Sequence, residues 1–387
     1  MKGITLKKGR DVSVIRQHPW IFSGGVHSFD EDLVNGEVIC IKDHRANILG
    51  VGHFHNGSIS ARILSFENRV LDGTFWNERI QLAFELRSSL GLIGNTSTNC
   101  YRLVNAEGDG LSGLIVDIYG SSAVIQCHTV GMYNHLSEIA NSLRRTYRSK
   151  IDTIYDKNKL GPSFDSHHLL GDKADGTVSE NDMKFKVNWV QGQKTGFFLD
   201  QRDSRKLLGT YARNKSVLNT FCYTGGFSVY AQKNGASQID SVDVSESAIM
   251  LTKENMDLNS EMDNPQRKEI CADVMKFLKE SNDQYDILVV DPPAFAKSQR
   301  KRHNAVQAYK RLNALAIKRV KSGGMIFTFS CSQVVSRSLF TDTIRAAAIE
   351  SGRTIQILHY LSQPADHPSN IYHPEGAYLK GLVLRII

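Results

Sequence analysis

Cys331 follows an apolar run, Met325-Ile-Phe-Thr-Phe-Ser330, that reads as a buried strand. A thiol at the carboxyl end of a strand is placed for nucleophilic catalysis. Upstream, a second such run, Tyr285-Asp-Ile-Leu-Val-Val290, leads into Asp291-Pro-Pro-Ala-Phe295. The two prolines keep the backbone extended and rigid just past that strand, because each fixes its own φ and restricts its predecessor. Asp291 could then hydrogen-bond the edge of a planar base while Pro293 or Phe295 packs on its face. A thiol and an acid so placed suit methylation of cytosine at C5. That carbon is too weak a nucleophile to take a methyl group directly. Addition of a thiolate to C6 makes the ring enamine-like, and protonation or a strong hydrogen bond at N3 from Asp291 favours the addition. Loss of the C5 proton then expels the thiol. The competing readings are a proline-stiffened loop and a cysteine acting as a small buried hydrophobe. They account for the prolines and the thiol but not for an acid at that strand end.

A second constellation lies further upstream. Ser216-Val-Leu-Asn219 reads as a strand and runs into Phe221-Cys-Tyr-Thr-Gly-Gly-Phe227 before a helix. Paired glycines at a strand-to-helix turn let backbone approach a ligand, and the spacing is not the G-x-G-x-x-G of dinucleotide sites. The next strand, Gln238–Asp243, ends in an acid that can accept hydrogen bonds from both ribose hydroxyls of an adenosine ligand. The third ends near Cys271-Ala-Asp273, which puts a carboxylate where an adenine amine would lie. Singly, the glycines are a turn and the acids are helix N-caps. As an ordered series after strands one, two and three they point to a nucleoside ligand. Phe221, Tyr223, Ser245 and Pro292 neighbour Gly225, Gly226, Asp243, Asp273 and Asp291, and are candidates for lining the same cleft.

These residues need a scaffold. From about 185 the pattern alternates strand and helix, with helices near 227–234, 246–258, 273–280 and 305–320, so a doubly wound parallel sheet is expected over 185–387. Thr354–Leu361 and Tyr378–Ile386 have no intervening helix and read as a terminal antiparallel pair. Residues 1–71 hold short β-type runs such as Gly36-Glu-Val-Ile-Cys-Ile41, which suggest a small β-barrel. Residues 72–184 read as a mixed α/β unit: a helix capped by Asp72 and ended by Gly91, strands across 101–128, and a helix near 133–147. The expected class is therefore α/β, with two smaller domains ahead of the alternating one.

Composition agrees with a soluble protein of two or three domains: 41% hydrophobic and 22% charged residues over 387 positions. No apolar run approaches the roughly 20 residues of a membrane span, and no secretory signal is visible. The six cysteines are scattered, without zinc-ligand spacing, and read as reduced thiols of a cytoplasmic protein. Net charge is +7, which permits a polyanionic partner. Lys297, Arg300, Lys301, Arg302 and His303 follow the Asp291-Pro-Pro loop directly, with Lys310 and Arg311 a turn or two later, so phosphate contacts are expected there. A second cluster, Arg144, Arg145, Arg148 and Lys150, reads as surface. Trp20 and Phe22 fit equally a base-stacking face and a core.

On His18-Pro-Trp-Ile-Phe22, Asn105-Ala-Glu-Gly-Asp-Gly-Leu-Ser-Gly113, Gln193-Lys-Thr-Gly-Phe-Phe-Leu-Asp-Gln-Arg202, Tyr223-Thr-Gly-Gly-Phe227, Asp291-Pro-Pro-Ala-Phe295 and Ser330-Cys-Ser332, nearly the whole chain resembles the 23S ribosomal RNA cytosine-C5 methyltransferases with an N-terminal PUA domain. The resemblance implies a PUA barrel that binds RNA, a linking α/β domain and a Rossmann-like class I methyltransferase domain. It implies S-adenosylmethionine as cofactor, 23S ribosomal RNA as substrate, naked or within a large-subunit precursor, and a homodimer. It places 193–202 along the methionine end of the cofactor, with Lys194 and Arg202 for its carboxylate, Asp200 for its ammonium group, and Phe197 in the lining. Many other RNA cytosine-C5 methyltransferases carry a second cysteine after the prolines; here that position is Ala294. The rival readings are a guanine-N methyltransferase that needs no Cys331, an inactive RNA-binding or ribosome-assembly protein on the same fold, and a dehydrogenase, which lacks its fingerprint here.

Overall fold

The computed structural model describes residues 1–148, 150–158, 160–260, 265–296 and 298–387. They form two compact units. The first comprises residues 1–178, 187–199 and 365–376; the second comprises 179–186, 200–364 and 377–387. The two smaller expected domains thus fall within one unit except for residues 179–184, and 187–199 and 365–376 of the expected 185–387 domain join that same unit.

In the first unit, a six-stranded sheet is built from Gly3–Leu6, Trp20–Phe22, Val26–Phe29, Val38–Lys42, Ile48–Phe54 and Ile59–Ser65. Ile4, Leu6, Ile21, Ile39, Ile41 and Ile63 form its core. The helix Gly73–Ser89 starts where expected, because the Asp72 carboxylate accepts from the Thr74 and Phe75 N–H groups. It buries Phe75, Trp76, Ile80 and Ala83 in one cluster with the strands Cys100–Asn105, Leu114–Tyr119, Ser122–Cys127 and Thr153–Asp156. Val51 and Leu64 of the six-stranded sheet belong to that same cluster, so the two expected domains share a core.

A segment from far along the chain completes this unit. The fully buried Arg87 guanidinium pairs with Asp109 at 2.5 and 2.9 Å and donates to the Asp366 carbonyl at 2.7 Å. The Arg102 N–H bonds the Asp366 carboxylate at 3.0 Å, and the Asn105 amide bonds the Pro368 carbonyl at 2.9 Å. A Cβ at Gly108 would lie 1.9 Å from that carbonyl oxygen, so the glycine is required. The Asn105-Ala-Glu-Gly-Asp-Gly110 turn is thereby the seat of strap 365–376.

The second unit carries a seven-stranded sheet. Its elements in chain order are α1 (Arg202–Tyr211), β1 (Ser216–Thr220), α2 (Gly226–Lys233), β2 (Gln238–Asp243), α3 (Glu246–Leu258), β3 (Gln266–Cys271), α4 (Val274–Glu280), β4 (Tyr285–Val290), α5 (Arg302–Lys318), β5 (Val320–Ser330), α6 (Arg337–Ser351), β6 (Ile355–Leu361) and β7 (Lys380–Ile386). The order across the sheet is β3-β2-β1-β4-β5-β7-β6. The first five are mutually parallel and β7 runs antiparallel to both neighbours. The expected pair β6–β7 is present, but β7 lies between β5 and β6 and so seats its first residues beside the end of β5. Sequence reading did not anticipate α6, which Ser336 caps by accepting from Leu339 N–H and which buries Phe340, Thr343, Ile344 and Ala347. Among the described residues no helix is long and apolar enough to cross a membrane.

Candidate active site

Strands β1, β2, β4 and β5 are parallel, so their carboxyl ends share one edge, and the order reverses between β1 and β4. A crevice at that reversal is where ligands bind in doubly wound sheets. Asp291 follows β4 and Cys331 follows β5; the two strands are neighbours, with Val290 opposite Thr328. Both residues are half-buried. Their loops are tied together, since the Ser332 hydroxyl donates to the Ala296 carbonyl at 2.7 Å. Burial pushes the Tyr309 phenol up to about 12, and the nearby charges of Cys331 and Asp291 act in the same direction. Tyr309 in turn packs on Phe295, with ring centroids 4.7 Å apart. The fold therefore gathers the thiol, the acid and the aromatic of the proline loop around one tyrosine. Gln201 was missed in sequence; its amide donates to Asp291 at 3.0 Å, and its place inside the Leu-Asp-Gln-Arg string was the signal.

The turn after β1 is held in an uncommon conformation. Phe221, Tyr223 and Gly225 have φ of +55°, +47° and +74°. Two non-glycine residues in the left-handed region within three positions store strain of a kind that clusters at ligand sites. The Cys222 N–H bonds the Val242 carbonyl at 3.1 Å, tying the turn to β2. Burial pushes the Cys222 thiol up to about 12, so it is a packing residue. Gly226 also meets a packing need: a Cβ there would stand 2.9 Å from Arg205 Cδ. The glycine lets the Arg205 stem pass, and Arg205 then donates two bonds, 2.8 and 2.7 Å, to the fully buried Glu180. Tyr230 donates to the same carboxylate at 3.1 Å, and Arg202 Nε lies 3.6 Å from it.

The acceptor set at the ends of β2 and β3 fits an adenosine. The half-buried Asp243 carboxylate accepts from Tyr223 N–H and from Ser245 N–H, one bond of 3.0 Å to each oxygen. Each oxygen keeps a further lone pair, enough for a vicinal diol. Ser245 and Asp273 also act as N-caps, accepting from Ala248 N–H at 3.3 Å and Lys276 N–H at 2.8 Å. Pro292 is buried behind Asp291. Asp200 is buried and accepts from the Tyr378 hydroxyl at 2.7 Å. Lys194 and Phe197 belong to the first unit. There the Lys194 ammonium sits 4.2 Å from the Phe198 ring centroid, and Phe197 is buried with its N–H on the Tyr119 hydroxyl at 3.2 Å.

Of the expected phosphate-binding residues, Lys297 lies outside the described residues. Arg300 and Lys301 occupy a single 3-10 turn and Arg302 opens α5; all three are exposed. The first turn of α5 carries no acid. Cations gathered at the positive end of a helix dipole are locally unfavourable. Lys310, by contrast, is paired with Glu350 at 2.9 Å. In the first unit Trp20 is half-buried, donating to Glu107 at 2.9 Å, whereas Phe22 is exposed.

Residues 157–385 match the family model described as S-adenosylmethionine-dependent methyltransferase, and residues 4–66 match a PUA-like domain. Two proteins called ribosomal RNA large subunit methyltransferase I are similar along nearly their whole length. The one from Vibrio vulnificus is 37% identical over 99% of each chain, and the one from Aeromonas hydrophila is 38% identical over 99% of this chain and 98% of its own. A solved S-adenosylmethionine-dependent methyltransferase from Streptococcus mutans has the same fold, with a TM-score of 0.87 at 23% identity over the full length of both chains.

Proposed function

We propose that this chain, which belongs to the S-adenosylmethionine-dependent methyltransferase family, methylates C5 of a cytosine in the 23S RNA of the large ribosomal subunit. One observation carries the cytosine reading: Cys331 and Asp291 stand at the carboxyl ends of neighbouring strands, their loops joined through Ser332 and Ala296. The relatives' names and the PUA-like domain support an RNA of the large subunit, and a cytoplasmic site of action goes with that substrate. S-adenosylmethionine, when bound, supplies an electrophilic methyl group. Asp243 would hold its ribose hydroxyls and Asp273 its adenine amine, with Phe221, Tyr223, Gly225 and Ser245 lining the turn between them. Asp200 and Arg202 are the candidates for its amino-acid end.

The protein's own work is on the base. The Cys331 thiolate forms a bond to C6, and the C5=C6 electron pair moves through the ring towards N3, where Asp291 donates or shares a proton. C5 is then electron-rich enough to be alkylated. Loss of the C5 proton to water or another base restores the double bond, breaks the C6–S bond and returns the thiolate, while N3 gives its proton back to Asp291. Arg300, Lys301 and Arg302, crowded at the start of α5, would meet RNA phosphates, which offset the unfavourable helix end.

Labelled methyl transfer to 23S RNA, followed by nucleoside mass spectrometry, tests this. The expected product is 5-methylcytidine, with Cys331→Ala turnover lower by at least about a thousandfold, as for loss of a nucleophile acting in concert with its partners. A methylguanosine product, indifferent to Cys331→Ala, would replace the cytosine reading by the guanine-N one. Binding of RNA with no methyl transfer would favour an assembly role.

A further inference from the structure

We propose that Lys380 is a positioning residue for Cys331, its buried ammonium holding the sulfur as a thiolate both before it attacks and as it leaves. The inference rests on the nucleophile reading above. Lys380 opens β7 directly opposite Ser330, the residue before Cys331. Its side chain is 4% exposed, and its ammonium donates to the Ser332 carbonyl at 2.7 Å. The head group thus lies against the carbonyl of the residue after Cys331, while its own backbone is paired with the residue before it. The approach is close because Gly381 follows: a Cβ there would stand 2.7 Å from the Phe329 ring.

A buried cation needs a counter-charge. Lys380 makes no ion pair with a carboxylate among the described residues, and a carbonyl supplies only a dipole. Burial pushes the ammonium down to about 8, with Arg337 acting in the same direction; among the described residues Cys331 opposes this. Tyr309, pushed up by burial, stays a neutral phenol at working pH and repels nothing. Asp291 is engaged by Gln201. The charge that Lys380 lacks is therefore the one that an ionised Cys331 provides.

The proton balance is simple. From the neutral pair, the S–H bond breaks and an N–H bond forms, so amine and thiol become ammonium and thiolate with no net change. When the thiolate adds to C6 the negative charge passes into the ring, and when the C6–S bond breaks it returns to sulfur beside the same ammonium. Lys380 never touches the base; it acts through the sulfur.

The test is the pH dependence of Cys331 alkylation by iodoacetamide in the full-length protein carrying Cys271→Ser, since Cys271 is exposed and the other four cysteines are buried. The expected inflection lies below the ordinary thiol value of about 8.5. In Lys380→Met it should rise by about one unit or more, slowing alkylation at pH 7 roughly tenfold, and Lys380→Arg should restore much of the rate. An inflection at or above 8.5 in the parent protein overturns the proposal without any Lys380 variant having to fold. Superimposed profiles for the parent and Lys380→Met overturn it as well. Alkylation reads the thiol and not methyl transfer, so a lowered inflection with 5-methylcytidine still made by Cys331→Ala would sink the nucleophile reading alone.

Discussion

Arg205 and Lys380 are both buried cations of the second unit, 2% and 4% exposed, yet their surroundings differ in kind. Arg205 faces a fully buried carboxylate through two good bonds and shares it with Tyr230. Lys380 faces one carbonyl, and the charge of Cys331 acts to keep its ammonium protonated. In the first case the charge is cancelled within the fold and its job is to hold residues 179–186 against α1 and α2. In the second the cancelling charge appears only when a reactive group ionises. A buried charge with its partner in place is architecture; one whose partner is conditional is a device for setting that partner's state.

The contrast is broken most directly by removing each partner. Glu180→Ala leaves the Arg205 guanidinium buried without its counter-ion and should cost about 3–5 kcal/mol in urea unfolding. Lys380→Met removes an ammonium that burial already disfavours and should change stability by no more than about 1 kcal/mol. Equal losses from the two variants would mean that the two cations do the same work.

His53 sharpens the point as a buried group with no charge at all. Burial pushes its imidazole down to about 3, and His135, stacked on it at 5.2 Å, adds to the effect. The unfolded chain takes up a proton at this residue near pH 6.5, which the folded protein refuses until near 3. Stability should thus fall by about 1.4 kcal/mol per pH unit as pH drops through that window, and be unaffected above it. Urea midpoints taken from pH 7.5 to 5 would measure the slope, and His53→Phe should flatten it; an unchanged slope would show that other groups set it.

The smallest effect on stability belongs to cations that face water. Replacing Arg300, Lys301 and Arg302 together by alanine should move unfolding by no more than about 0.5 kcal/mol. The same triple change should reduce the salt slope of RNA binding by about 2 to 3, one increment of 0.7–0.9 per lost phosphate contact. An unaltered slope would return these residues to the category of solvated surface.

Much of this arrangement is legible in the chain itself. The runs ending in Asp291 and Ser330 are apolar and short, and Gln238–Asp243 falls between two helical stretches, so strand and strand end could be located, and with them the thiol, the acids and the glycine turn. Asp72 and Gly91 bound their helix as their chemistry requires. What escaped reading depends on long-range pairing. Nothing local says that β7 enters between β5 and β6, so Lys380, a lone lysine heading the run Leu382–Ile386, could not be set beside Cys331. Glu180 and Gly226 meet through Arg205 in the same way: the arginine that needs the glycine's space lies far from it in sequence. The helix α6, with three consecutive alanines and a serine cap, carried a local signal that was passed over.

Strap 365–376 has a consequence for how the protein is made. The first unit ends its initial stretch at residue 178, but the strap that bonds Arg87, Arg102 and Asn105 includes residues up to 376. At the ~5–20 residues per second of synthesis, those roughly 200 intervening residues take about 10 to 40 s to emerge. Throughout that interval the Arg87–Asp109 pair waits on the nascent chain without its carbonyl partner, and the methyltransferase sheet lacks β7. The two units therefore finish together, once residues 365–386 have emerged, and a chain truncated before the strap would leave both unfinished.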